Sequence, residues 1–141
     1  MHQPIRVLFL CEDNADRSQM AEAFLQARGD QRFEAHSAGI EPRPLDPLAV
    51  AAMREIGIDI SQQTSKHLND YEDIQFDYVV TLCEQVVGSC LDFARDGHTL
   101  HWYCSDPSDS LGSDTERLTA FRKARDEIKE HLEAWIEVLP V

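Results

Sequence analysis

The chain reads as short apolar runs alternating with segments of helical period. Ile5 to Leu10 is nearly all apolar, the pattern of a strand buried on both faces. Beyond it, Met20, Ala21, Phe24 and Leu25 recur at helical spacing, and Ser18 is the expected cap of that helix. Phe33 to Ala38 is a second strand, closed by Gly39. Pro42, Pro44 and Pro47 mark a loop. Pro47 suits the first turn of a helix with Leu48, Ala51, Ala52 and Ile56 on its apolar face and Gly57 as its stop. Ser61 to Asn69 is polar and reads as a loop with a short helix. Tyr78 to Leu82 is a third strand, ending at Cys83, and residues 84–95 read as a short helix or ordered loop. Thr99 to Tyr103 is a fourth strand, followed by a turn-rich polar loop from Ser105 to Asp114. Thr115 to Leu139 is a long helix whose stripe is Leu118, Phe121, Ile128, Leu132, Trp135 and Leu139.

This alternation predicts an α/β fold. The expectation is a single three-layer domain over residues 1–141, with a four-stranded parallel sheet and helices on both faces. Ligands then bind beyond the carboxyl ends of the strands. Cys11 and Cys83 stand at such ends, and Asp106 closely follows the fourth strand. Three reactive side chains from distant positions are thus expected on one edge of the sheet.

Composition narrows the partners. At 141 residues and 43% hydrophobic, the chain can build one ordinary globular core. No apolar run approaches a membrane span, and the N-terminal stretch lacks the apolar centre of a signal peptide. A cytoplasmic protein without a membrane partner is expected, acting as a monomer. The formal net charge of −13 argues against a nucleic-acid partner, which needs a basic face. There are four cysteines, Cys11, Cys83, Cys90 and Cys104, and in a cytosolic chain these point to catalysis or metal before a disulfide framework.

The strongest chemical signal is the stretch from Cys11 to Ser18. It places a thiol at the mouth of a loop that runs into a helix N-terminus. Such a loop can aim several backbone N–H groups at one anion, and the same geometry favours a thiolate. Glu12, Asp13, Asn14, Ala15, Asp16, Arg17 and Ser18 are therefore the expected oxyanion-binding residues. Arg17 supplies a fork for two oxygens of a tetrahedral anion. Ser18 can donate to the Cys11 sulfur, and Asn14 can hold the loop through side-chain to backbone bonds. The alternative is a buried structural cysteine beside a surface arginine. Asp106-Pro107 reads either as a general acid facing the thiolate or as a common turn start. A zinc reading of Cys83, Cys90, His98, His101 and Cys104 lacks the short Cys-x2–4-Cys knuckle, so neither metal nor cofactor is expected.

These motifs resemble the low-molecular-weight protein tyrosine phosphatase superfamily, and within it the arsenate reductases regenerated by thioredoxin-like reductants. The resemblance spans nearly the whole chain. It includes Cys11 through Glu22, His36-Ser37-Ala38-Gly39-Ile40, Gly57-Ile58-Asp59-Ile60-Ser61 and Ser65-Lys66. It continues with Val80-Thr81-Leu82-Cys83, His101-Trp102, Asp106-Pro107, Phe121-Arg122 and Arg125-Asp126-Glu127-Ile128. It implies that Cys11 attacks arsenate, or a phosphate-like oxyanion, and that Asp106 protonates the departing oxygen. It further implies a relay in which Cys83 attacks Cys11, Cys90 attacks Cys83, and a thioredoxin- or glutaredoxin-type partner reduces the final pair. In a regular helix Cys83 and Cys90 would stand about 10 Å apart along the axis. A disulfide needs Cα atoms within about 7 Å, so the segment must rearrange, which Gly88 eases. Cys104 matches no cysteine of the family pattern and reads as structural.

The chain departs from that pattern in two places. Family loops are mostly small and neutral, often with glycine where Asp13 stands, whereas this loop holds Glu12, Asp13 and Asp16. A carboxylate about 6 Å from a thiolate opposes it by roughly 3 kcal/mol at an effective dielectric of 20. The acids are therefore expected to point outward, to be protonated or to be offset, and Asp13 is a candidate for strained backbone. Lys66 replaces the acid with which some family members hold a potassium ion, and its ammonium is expected near Asn14, Glu22 and Ser37. Three function classes follow: a thioredoxin-linked arsenate reductase, a phosphatase acting on phosphotyrosine or small phosphomonoesters, and a non-catalytic redox-sensing relative.

Overall fold

A computed structural model describes residues 4–83, 98–107 and 111–139. Among the described residues are four strands and three α-helices: β1 (Ile5–Cys11), α1 (Arg17–Ala27), β2 (Phe33–Gly39), α2 (Pro47–Arg54), β3 (Tyr78–Thr81), β4 (Thr99–His101) and α3 (Asp114–Val138). A 3₁₀ turn at Leu68–Tyr71 precedes β3. The four expected strands and the helices expected after β1, β2 and β4 are present, with β3 and β4 each ending earlier than the apolar runs suggest. The segment 84–95 lies outside the described residues. Among the described residues, no helix is long and apolar enough to cross a membrane.

The sheet is parallel, in the order β2-β1-β3-β4. Its register sorts side chains onto two faces. Phe9 pairs with Ser37 and with Val80, so these residues share one face. On that face Ser37 donates to Glu22 of α1, and Phe9 packs 5.9 Å from Trp102. Phe33 and Tyr78 meet Trp135 of α3 at 5.8 and 5.2 Å. On the opposite face His36 stands edge-on to Tyr71 and Phe76, at 5.4 and 5.7 Å. Three α-helices thus gather on one side, since α2 is tied to α3 by Arg125 Nη1 donating to Ala52 O at 2.9 Å. The described cover of the second face is the 3₁₀ turn and Phe76.

Each helix has a local reason to start where it does. Asp46 caps α2 by accepting from Leu48 N at 2.9 Å, with Pro47 behind it. Ser113 and Glu116 form a reciprocal capping box on α3. In α3, Phe121, Ala124, Ile128, Leu132 and Trp135 are buried in sequence order, at the spacing of one helical stripe.

The carboxyl ends of β1 and β2 touch through a glycine. A side chain at Gly39 would bring a Cβ within 2.8 Å of Asn14 N and Glu12 O, both backbone atoms. The loop after β1 rests directly on this bare position. Gly39→Ala is expected to destabilise the protein by about 1–3 kcal/mol, the range for overpacking, and Phe121→Ala by about 3–5 kcal/mol through a core cavity. Urea unfolding of both variants checks the two values.

Candidate active site

β1 delivers Cys11 to the sheet edge, and the five residues after it turn into α1. The carbonyls of that turn are bound from outside. Glu12 O accepts from Glu41 N at 2.8 Å, Asp13 O from Arg43 N at 2.9 Å and Ala15 O from Asp46 N at 2.9 Å. Asn14 O accepts from Gln19 Nε2 and Ser65 Oγ, each at 3.0 Å. With its acceptors engaged outward, the loop turns N–H groups inward, the arrangement that binds anions. Asn14, not Asp13, takes the left-handed conformation, with φ of 51°. Asparagine tolerates that region, and here its buried side chain is held on both sides. Its Oδ1 accepts from Lys66 N at 2.8 Å, and its Nδ2 donates to Ser18 Oγ at 2.7 Å.

Because Asn14 donates to Ser18, the Ser18 hydroxyl is free to donate to Cys11 Sγ, 2.8 Å away. The expected thiolate partner is therefore in place, but Ser18 is not the helix cap. α1 begins at Arg17, and Asp16 caps it by accepting from Arg17 N. The thiol pKa also departs from expectation. Burial, and next the Asp16 carboxylate, push Cys11 up to about 12, and the Ser18 hydrogen bond only partly opposes them.

The three loop acids have separate fates. Glu12 is exposed. Asp13 is half-buried and turns its carboxylate back, accepting from Ala15 N at 3.2 Å. Asp16 is only 3% exposed, and burial pushes its carboxyl up to about 6 against the opposing pull of the Arg17 N–H. Cys11 Sγ and one carboxylate oxygen from each of Asp13 and Asp16 lie within 4.8 Å of one another. Two inward N–H groups are therefore occupied by the loop's own carboxylates.

Arg17 crosses this cluster from α1. Its Nη1 donates to Leu82 O at 3.0 Å and to Cys104 O at 3.2 Å, joining the ends of β3 and β4. Its Nη2 stands 3.4 Å from Asp106 Oδ2. Its Nε is buried, makes no hydrogen bond among the described residues and stands 3.8 Å from Asp16 Oδ1. Burial works against the charge, but Asp106 and Asp16 outweigh it and hold the guanidinium protonated. Cys83 is a buried cysteine outside any disulfide, next to Leu82 and close enough to Arg17 to favour that charge. Cys104 is a buried free thiol, raised to about 12 by burial. Cys11, Asp13, Asp16, Arg17, Ser18, Cys83 and Asp106 thus meet at one edge. Cys90 and Gly88 lie outside the described residues.

Gln19 and Ser65 hold the loop in a way that spacing does not reveal; the signal is polar side chains facing a buried turn. Gln19 Nε2 also donates to Thr64 O at 2.9 Å. The Lys66 ammonium lies 3.6 Å from Glu22 Oε1, which also accepts from Ser37, and donates to Thr64 O at 2.7 Å. The zinc reading does not assemble among the described residues. His98 stacks on Tyr78 at 5.4 Å, and His101 Nδ1 bonds Thr81 Oγ1 at 2.7 Å. The Cys11, Asp13 and Asp16 atoms are close enough to hold an ion, but the Arg17 guanidinium, 3.8 Å from Asp16, opposes a cation there.

The raised Asp16 carboxyl has a stability consequence. The folded protein holds that proton more tightly than the unfolded chain, whose aspartate titrates near 4. Stability from this group is complete below about pH 4 and is lost as pH rises through about 6. Asp16→Asn keeps a capping side chain and removes the charge. It is expected to raise stability at pH 8 by about 2–3 kcal/mol, with the gain vanishing by about pH 4. Denaturant melts across that range measure the difference.

Residues 6–140 match the low molecular weight phosphotyrosine protein phosphatase family. The chain is 39% identical over 131 residues to an arsenate reductase of Halalkalibacterium halodurans, covering 93% of this chain and 94% of that one. Among solved structures it resembles an arsenate reductase in the phosphate binding state, with TM-score 0.80 and 33% identity, covering 96% of this chain and 98% of that one. An arsenate reductase in the oxidized state matches with TM-score 0.80 and 32% identity, over 94% and 97% of the two chains. The thiol, the N–H loop and the arginine at the sheet edge thus coincide with a match over nearly the full length, and the chain belongs to the low molecular weight phosphotyrosine protein phosphatase family, in its arsenate reductase branch.

Proposed function

We propose that this chain reduces arsenate to arsenite, with Cys11 as nucleophile and Cys83 and Cys90 as the thiols that regenerate it. The observation that carries this is the meeting of Cys11 and Cys83 around Arg17, whose Nη1 holds the carbonyl next to Cys83 and whose buried Nε makes no hydrogen bond among the described residues. The loop N–H groups and Arg17 hold the oxyanion. Cys11 sulfur bonds to arsenic, and Asp106, beside Arg17, protonates the departing oxygen. Cys83 thiolate then attacks Cys11 Sγ. The electron pair of the sulfur–arsenic bond stays on arsenic, which leaves as arsenite, and a Cys11–Cys83 disulfide remains. Cys90 attacks Cys83 and frees Cys11, and the dithiol of a thioredoxin- or glutaredoxin-type partner reduces the Cys83–Cys90 pair.

A phosphatase reading rests on a narrower set. Cys11, Arg17 and Asp106 alone suffice to open a phosphomonoester, and their grouping favours this second activity. It leaves Cys83 and Cys90 idle, so the cysteines discriminate the two readings.

Arsenate turnover with thioredoxin is expected to disappear in Cys11→Ser. In Cys90→Ser a single equivalent of arsenite should form before the enzyme stalls, and Cys83→Ser should release none. Repeated turnover at the wild-type rate by either Cys83→Ser or Cys90→Ser would overturn the relay. Asp106→Asn should lower kcat by about 10²-fold, the low end of general-acid contributions, with steady-state kinetics as the measure.

A further inference from the structure

The acids that fold back into the anion loop have a use beyond holding it shut. We infer that Asp13 and Asp16 read protons on the incoming oxyanion, so that the loop admits arsenate or phosphate carrying hydroxyl groups and rejects fully deprotonated anions such as sulfate. The inference rests on the reading of this loop as the arsenate site.

Geometry supplies the argument. One carboxylate oxygen from each of Asp13 and Asp16 and the Cys11 sulfur lie within 4.8 Å of one another, so both acids adjoin the attacking atom. An oxyanion on Cys11 therefore meets two carboxylates as well as the loop donors. Two acceptors face each other without repulsion only when a proton lies between them. Asp13 is half-buried and can give way toward solvent. Asp16 cannot, because it is 3% exposed and fixed to Arg17 N as the cap of α1.

The surrounding charges push the same way. Among the described residues, the groups that face this site are Cys11 from β1, Asp13 and Asp16 from the loop, Arg17 from α1, Cys83 after β3 and Asp106 after β4. Arg17 is the one cation in that set. Its buried Nε, which makes no hydrogen bond among the described residues, and its Nη2 are the donors left for a ligand, since Nη1 is committed to two carbonyls. One guanidinium set against three carboxylates does not neutralise a further dianion. An As–OH or P–OH group donating to Asp16 turns that repulsion into a charge-assisted hydrogen bond. Sulfate has no proton to offer near neutrality. It is accepted only when Asp16 itself carries one, and that carboxyl titrates at about 6. A site built around a substrate hydroxyl rejects the analogue that lacks it because its buried acceptor is left unpaired.

The test is equilibrium binding of phosphate and of sulfate to the reduced full-length protein by calorimetry, at pH 5 and pH 8. Wild type should bind phosphate at both values. It should bind sulfate at pH 5 and lose it at pH 8 by at least about tenfold, the equivalent of one hydrogen bond to a charged group. Asp16→Asn should bind sulfate with little change between the two pH values. Asp13→Asn, at a half-exposed position, should shift the phosphate-to-sulfate ratio in the same direction by less, and it serves if Asp16→Asn does not fold. Equal sulfate affinity at both pH values in wild type overturns the inference. An unchanged phosphate-to-sulfate ratio in the folded variants does so too. Arsenate turnover is scored separately. A protein that discriminates between the anions yet reduces no arsenate refutes the reductase reading alone, whereas one that reduces arsenate and binds sulfate freely refutes the filter alone.

Discussion

The outward binding of the carbonyls of residues 12–15 is the constraint on which this site depends. Three are held by backbone N–H groups of Glu41, Arg43 and Asp46, and the fourth by Gln19 and Ser65. A backbone with its acceptors satisfied on the outside has only donors to present on the inside. The left-handed Asn14 and the bare Cα of Gly39 are what allow the turn to lie this close to β2. The sheet register then sets the rest, because β1, β3 and β4 end side by side and Arg17 spans their tips.

Burial gives the site its strength and also its internal tension. Excluding water strengthens every interaction between Arg17, the loop donors and an anion. The same exclusion raises the Cys11 thiol and the Asp16 carboxyl, so the resting site favours neutral forms of both. Ser18 and Arg17 oppose this for the sulfur. In the proposed function, proton movement and anion binding are therefore coupled at one set of atoms.

Much of this was legible in the chain because it rests on local patterns. The buried run before Cys11 and the stripe of α3 depend on periodicity, which sequence displays directly. The meeting of Cys11, Arg17, Cys83 and Asp106 follows from strand order in a parallel α/β sheet. What escaped the sequence depends on depth and direction. Ser18 and Asp16 are both good caps, and only the path of the loop decides that Asp16 takes the role while Ser18 turns to the sulfur. The left-handed residue is fixed by the pins on Asn14, which come from Lys66, Gln19 and Ser65, far along the chain or beyond the loop. The helix-terminal position of Cys11 argues for a low thiol pKa, but burial and the inward acid outweigh it, and neither is visible in spacing.

The strut formed by Arg17 has a mechanical consequence. The guanidinium proposed to grip the oxyanion also holds the carbonyl of Leu82, the residue immediately before Cys83. Any displacement of residue 83 toward Cys11 pulls on that same hydrogen bond. Grip on the ligand and position of the second thiol are thus geared together through one side chain. In the proposed relay, a chain so geared would loosen its hold on the product by the same motion that closes the first disulfide, so that release and thiol exchange would become one event in time.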